Sequence, residues 1–182
     1  IYKNIWDSFY IYLAENCLGL IYLLNYNDIE KAICYIKNSA FAEYPFGQNN
    51  FGLINLFFLN KIEYATYMFE KASKNYFALA EYNVANIYEN NNNIEESIEY
   101  FIKASNHEDE PLCFHGKNTY DERLEISKIF IICLTNMKLT HYFLSKSDDK
   151  TSKKYFVRSL AKLKSSSYNF RFRFSDHENK IF

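Results

Sequence analysis

The strongest constraint in this sequence is that it repeats itself. Ala14-Glu-Asn-Cys-Leu-Gly-Leu-Ile-Tyr22 returns as Ala80-Glu-Tyr-Asn-Val-Ala-Asn-Ile-Tyr88, 66 residues further on. Halfway between, Phe51-Gly52 stands 33 residues after Leu18-Gly19 and 33 before Val84-Ala85. The later part of each unit recurs as well: Lys31-Ala32-Ile-Cys-Tyr-Ile36, Tyr64-Ala65-Thr-Tyr-Met-Phe69, then Glu96-Ser97-Ile-Glu-Tyr-Phe101. The step from Ala65 to Ser97 is 32 residues, so the turn of the third unit is one residue shorter. Phe69-Glu-Lys-Ala-Ser73 and Phe101-Ile-Lys-Ala-Ser105 close their units in nearly the same words. A period of this length marks stacked supersecondary units, none of which buries its apolar face alone.

Each unit reads as two helices. In the first half, Ala14, Leu18, Ile21 and Tyr22 recur three and four apart, which lines them along one helical face. In the second half the same spacing joins Ala65, Phe69 and Ala72, and again Ser97, Phe101 and Ala104. The turns between carry Asn25 to Asp28, Asn60-Lys61 and Asn90 to Asn93, residues that accept left-handed or capping conformations. Gly19, Gly52 and Ala85 mark where the two helices cross closely, with Ala32, Ala65 and Ser97 expected in the facing slot. With only 4 Gly and 2 Pro in 182 residues, long uninterrupted helices are favoured.

These residues resemble the tetratricopeptide repeat and its relative, the Sel-one-like repeat. The match lies in Leu18-Gly19-x-x-Tyr22, in Ala65-x-x-x-Phe69 or Ser97-x-x-x-Phe101, and in the following Ala72 or Ala104. Gly47-Gln48-Asn49-Asn50-Phe51-Gly52 is most similar to the opening of a Sel-one-like unit. The first-helix tryptophan of the tetratricopeptide pattern is absent, and the glycine-rich turn of Sel-one-like units is shortened. The resemblance implies an all-α, right-handed α–α superhelix of stacked hairpins, used as a scaffold for protein contacts and without catalysis of its own.

Residues 1–105 thus read as three repeats. His107-Glu-Asp-Glu-Pro111 through Tyr120 breaks the pattern, so 106–120 is expected to be an inserted loop. Ser152-Lys-Lys-Tyr-Phe156 copies Ser97-Ile-Glu-Tyr-Phe101 at an offset of 55, which makes 121–165 a fourth, longer hairpin. Thr119 or Asp121 would cap it. Tyr168-Asn-Phe-Arg-Phe-Arg-Phe174 alternates with period two and has no partner strand, so 166–182 reads as an extended tail.

Catalytic motifs are missing. His115-Gly116-Lys117 lacks the earlier glycine of a phosphate loop, because Pro111 stands there. Cys113 and His115, with His107 nearby, lack a fourth ligand at zinc spacing; no metal and no cofactor are expected, and a metal-dependent enzyme using the 106–120 loop is the lesser alternative. His141 reads as an ordinary helix residue. Between Lys150 and Arg173 there is no acid, and Phe170, Phe172 and Phe174 interleave with the cations. That stretch is the one alternative for nucleic acid or an anionic surface. Against it stands a formal net charge of −1, which provides no long-range attraction to a polyanion.

On the repeat register, the outward first-helix positions are Asn16 and Leu20, Asn49 and Leu53, then Tyr82 and Asn86. Amides, leucines and a tyrosine along a concave groove suit an extended peptide or a partner helix. No cation stands in that row, so a carboxylate clamp is not expected. Leu20 and Leu53 are equally suited to covering the next repeat.

No apolar run reaches the roughly 20 residues of a bilayer span, no leader opens the chain, and no Asn-x-Ser/Thr acceptor occurs. A cytoplasmic, intracellular location is expected. Cys17, Cys34, Cys113 and Cys133 have no CxxC spacing and are expected as free, buried thiols. Ile1 to Tyr12, with Trp6 and Phe9, is too apolar for a terminal repeat, which suggests a fragment of a larger protein, a signalling protein among the options.

Overall fold

The computed structural model describes residues 2–75, 77–107, 113, 114, 117, 118 and 122–178. Its element order is α1 (Tyr2–Asn25), α2 (Ile29–Phe41), α3 (Pro45–Phe57), α4 (Ile62–Ser73), α5 (Ala78–Asn90), α6 (Ile94–Ser105), β1 (Cys113–Phe114), β2 (Lys117–Asn118), α7 (Glu122–Ser145) and α8 (Asp149–Glu178). The chain divides into two compact units, Ile1–Asn91 and Asn92–Phe182, and the division falls inside the third repeat as read from sequence.

The turns show why the helices stop where they do. Asn27 and Asn60 adopt φ of 51°, Asn92 of 61° and Ser147 of 57°, all at the same place in their repeats. A left-handed residue there ends the first helix and lets the chain reverse. The Asp28 amide then donates to the Tyr22 carbonyl at 2.9 Å, and the equivalent Lys61 amide to the Asn55 carbonyl at 2.8 Å. Asp28 and Asp148 start the next helices by accepting from the amides of Lys31 and Thr151, each at 3.0 Å. A shared turn geometry therefore fixes the hairpin geometry.

In the first unit each helix packs against the next, from α1 through α5. Ala32, Ile36, Ala65, Phe69 and Ala72 are all 0 % exposed. Ile36 and Ala40 of α2, Phe51 and Ile54 of α3, and Met68 of α4 form one buried cluster, so the core runs across hairpins and not only within them. Two glycines are required by close approach. A Cβ on Gly19 would run into the Ile36 side chain, with the Ala32 carbonyl 3.1 Å away. One on Gly52 would sit 2.6 Å from the Phe69 ring. The crowding side chains are thus Ile36 and Phe69, one turn beyond the expected Ala32 and Ala65. Small residues at 32 and 65 leave room, and the larger ones fill it.

In the second unit α6 packs on α7 and α7 on α8. Phe101 is 1 % exposed, Ile132 and Leu139 are 0 %, and Ser97, Ala104 and Tyr155 are also buried. The Phe143 and Tyr155 rings stack at 5.7 Å across the α7/α8 hairpin. The Ser159 hydroxyl donates to the Cys133 carbonyl at 3.5 Å and the Cys133 thiol to the Ser159 carbonyl at 3.8 Å, a reciprocal polar clasp in an apolar seam.

Three expectations are corrected. Residues 166–178 are helical, as the last turns of α8, and not extended. A helix satisfies its backbone internally, whereas the strand suggested by alternation needs a partner that this stretch lacks. The 106–120 segment is not only loop: β1 and β2 pair antiparallel, Cys113 opposite Asn118 and Phe114 opposite Lys117. Cys17 and Cys34 are exposed thiols, while Cys133 is a buried one. Residues 179–182, Asp121 and Thr119, with the expectations placed on them, lie outside the described residues.

Candidate interaction face

The first helices of the first unit, α1, α3 and α5, carry the sequence-derived binding row. The structure separates its members. Asn16 is 5 % exposed and Asn49 is 1 % exposed, so neither is outward-facing. Both belong to a run of amides that ties consecutive first helices together. The Asn50 side-chain amide donates to Asn16 Oδ1 at 2.9 Å, and Asn83 donates to Asn49 Oδ1, also at 2.9 Å. A long contact of 3.5 Å from Asn49 Nδ2 to Asn50 Oδ1 closes the run Asn83–Asn49–Asn50–Asn16. Each donor sits 34 residues after its acceptor, one position further in the next repeat. The physical reason for the correction is that a short carboxamide placed between two helices hydrogen-bonds its own kind, and desolvating it unpaired is costly. The offset of 34 against a repeat of 33 is the signal that sequence reasoning passed over.

Leu20 is partly buried and packs on the Ile36–Phe51–Ile54 cluster, so it covers the next repeat as much as it faces outward. Leu53, Tyr82 and Asn86 are half-buried, and the Asn86 side-chain amide donates to its own helix at the Tyr82 carbonyl, 2.8 Å away. Two residues the sequence reading did not select are the most open of this row. Leu24 and Phe57, one turn beyond Leu20 and Leu53 and equivalent to each other in register, are 75 % and 72 % exposed. An apolar side chain that open, repeated on neighbouring helices, is a surface with something to bury.

One position before the amide run, every first helix carries a polar residue: Glu15, Gln48, Glu81 and, in α7, Asn136. Gln48, Glu81 and Asn136 are buried. Glu15 Oε1 accepts from the Asn38 side-chain amide at 3.2 Å, leaving Oε2 unpartnered. Gln48 Oε1 and both side-chain polar atoms of Asn136 are likewise buried without a partner.

The electrostatics are mild. Burial pushes the Tyr44 hydroxyl pKa well above its ordinary value. Lys31 holds Asp28 below the usual carboxylate range, through its backbone amide first and its side chain second. Among the described residues, no group of three His, Cys, Asp or Glu is placed to hold a metal ion. His107 is buried at the end of α6 and His141 is exposed on α7. The Cys113 side chain and His115 lie outside the described residues. Of the basic stretch, Arg158 lies over the Tyr155 ring at 5.8 Å and donates to the Ser105 carbonyl at 3.4 Å, so this cation is engaged inside its own unit. Among the described residues, no helix is long and apolar enough to cross a membrane.

No protein-family model matches the chain, and no curated protein matches it either. Among solved structures, the crystal structure of MamA, a tetratricopeptide-like helical-repeat protein, is similar at a TM-score of 0.52 and 17 % identity. That similarity covers 92 % of this chain and 87 % of the other. At that identity the likeness speaks for the fold, and the fold is all-α, a tetratricopeptide-like solenoid of stacked helical hairpins.

Proposed function

We propose that the chain is a non-catalytic helical-repeat scaffold that holds a protein or peptide partner along α1, α3 and α5. The observation that carries this reading is the pairing of Leu24 and Phe57, wide open on helices that the buried amide run locks side by side. Rigid support lowers the entropy cost of docking, and the exposed apolar pair supplies the gain. Leu20, Leu53, Tyr82 and Asn86 flank them, while Asn16 and Asn49 position the helices and do not touch the partner. The partner is an apolar-rich extended peptide or an amphipathic helix, not an acidic C-terminus, since no cation stands in the row. The Gly47 to Gly52 segment supports the Sel-one-like branch, and cytoplasmic residence within a larger assembly fits the same reading.

The test pans the purified chain with a displayed library of random linear peptides. Enriched sequences should be rich in aromatic and aliphatic residues, and Leu24→Asp or Phe57→Asp should weaken the best binder at least tenfold, about 1.4 kcal/mol. No enrichment, or affinity unchanged by both substitutions, overturns the proposal.

A further inference from the structure

The α7/α8 hairpin has two unlike sides. On one, Lys138 of α7 lies over the Phe101 ring of α6, and Arg158 of α8 donates to the Ser105 carbonyl at the end of α6. The other carries open apolar side chains. Phe130, Met137 and Leu144 stand seven residues apart on one line of α7 and are 60 %, 57 % and 57 % exposed. Phe156 and Leu160 stand two residues before and after Arg158, a little over half a turn round α8, and each is 50 % exposed. Phe143 stacks on Tyr155 and Cys133 clasps Ser159, so α7 and α8 run antiparallel. Leu144 and Phe156 each follow a member of that stacked pair by one residue, and in an antiparallel pair the same step turns both helices to the same side. The five residues therefore form one apolar face.

What borders this face on α8 is basic. Lys153 lies seven residues before Leu160 and Lys164 four after it, along the same line of the helix, and both are exposed, as are Lys150 and Lys154. Asp148 and Asp149 stand at the start of the helix, Asp148 as its cap, and from Lys150 to Arg173 there is no acid. The other second helices are built differently: α2 carries Glu30, α4 carries Glu63 and Glu70, and α6 carries Glu95, Glu96 and Glu99. On α7 the titratable neighbour of the face is exposed His141. An extended tail would scatter cations and apolar side chains in all directions. The helix gathers them side by side.

We propose that this face binds the surface of an anionic phospholipid bilayer, the hairpin lying flat with its five apolar side chains at the boundary between headgroups and acyl chains. Burial of an apolar face together with attraction of its flanking cations to anionic headgroups is what holds an interfacial helix. The lysine stems lie along the apolar plane while their ammonium groups reach the phosphates. The near-balanced charge of the whole chain does not oppose this, since at physiological salt a charge acts over only about 10 Å. A nucleic acid fits the face less well, because Met137, Leu144 and Leu160 offer no ring on which a base could stack. The face uses no residue of α1, α3 or α5, so it is independent of the peptide partner proposed above.

Flotation of the full 182-residue chain with lipid vesicles reads the outcome. Vesicles of phosphatidylcholine with about one-third phosphatidylserine should bind the chain at about 0.1 M salt, and pure phosphatidylcholine vesicles at least tenfold more weakly. Lys150→Glu/Lys153→Glu and Leu144→Ser/Phe156→Ser/Leu160→Ser should each lower binding to the phosphatidylserine vesicles at least tenfold. All five positions are open, so helicity by circular dichroism should stay at the wild-type level. If either variant loses helicity, Leu160→Trp takes its place. It keeps the face apolar, should bind as the wild type does, and its emission, less that of the wild type, should move to shorter wavelength on the phosphatidylserine vesicles. Absence of binding to those vesicles overturns the proposal, as does equal binding to both kinds or an unshifted emission. Undiminished binding by the charge-reversed variant or by the triple serine variant overturns it too. So does displacement from the vesicles by a single-stranded oligothymidylate, which would mean a nucleic-acid surface.

Discussion

Asn49 and Met137 occupy the same place in their repeats, yet Asn49 is 1 % exposed and Met137 is 57 % exposed. The residues that follow them, Asn50 and Lys138, diverge as well. Asn50 donates to Asn16 of the neighbouring first helix, while Lys138 lies over the Phe101 ring at 5.6 Å. The first helices of the first unit are therefore joined by side-chain amides, whereas the α7/α8 hairpin stacks Phe143 on Tyr155 and clasps Cys133 to Ser159. The turn chemistry is common to both, with Asn27, Asn60 and Ser147 all left-handed. What differs is the residue at this register, a carboxamide in α3 and Met137 in α7.

The largest effect separates inside from edge at one register. Phe69→Ala removes a side chain that is 0 % exposed and fills the space over Gly52, and should cost about 3–5 kcal/mol in chemical denaturation. Phe156→Ala, at the equivalent place in α8, should cost under about 1 kcal/mol, because half of that ring is already in water. Equal costs would erase the distinction between covered and bare second helices.

A middle-sized effect with opposite signs tests the lateral link. Asn49→Ala orphans Asn83 and should destabilise by about 1–3 kcal/mol. Asn136→Leu replaces a fully buried amide, neither side-chain atom of which has a partner, with an apolar group of similar volume. It should stabilise by about 1 kcal/mol, because the stranded group's desolvation cost disappears. Loss of stability at both positions would mean that Asn136 is satisfied in solution, and the contrast between the two hairpins would shrink accordingly.

Much of the architecture was legible because periodicity is a long-range signal read from many residues at once. The helix boundaries, the asparagine turns and the small residues at 19 and 52 each follow from local rules. The binding row was legible only in part. Register says that Asn16, Leu20 and Leu24 share a side of α1, but it does not say which of them the next helix covers. That depends on the 34-residue offset of the amide pairs, which becomes meaningful only once α1 and α3 lie side by side. The α8 extension was missed for a related reason. Alternating Phe and Arg between 170 and 174 carries strand periodicity, but a strand requires a partner and a helix does not.

The smallest effect concerns the turns, where the first and last hairpins agree and the two between them depart. Asp28 and Asp148 cap α2 and α8 through their carboxylates, whereas Lys61 and Asn93, at the same place before α4 and α6, make no side-chain cap. Both carboxylates titrate below the ordinary value of 3.8, Asp28 chiefly through the Lys31 amide and Asp148 chiefly through the Thr151 hydroxyl. A folded-state pKa below the unfolded one means stability that is present above the unfolded value and lost as pH falls through the folded one. The melting temperature of the wild type should therefore exceed that of Asp28→Ala/Asp148→Ala at about pH 7, and the gap should narrow below about pH 4. Lys61→Ala should show no such acid-dependent gap. A difference for the double variant that stays constant from about pH 7 down to about pH 3 would place the role of these aspartates in turn conformation and not in their charge, and the two capped hairpins would then differ from the two uncapped ones in shape alone.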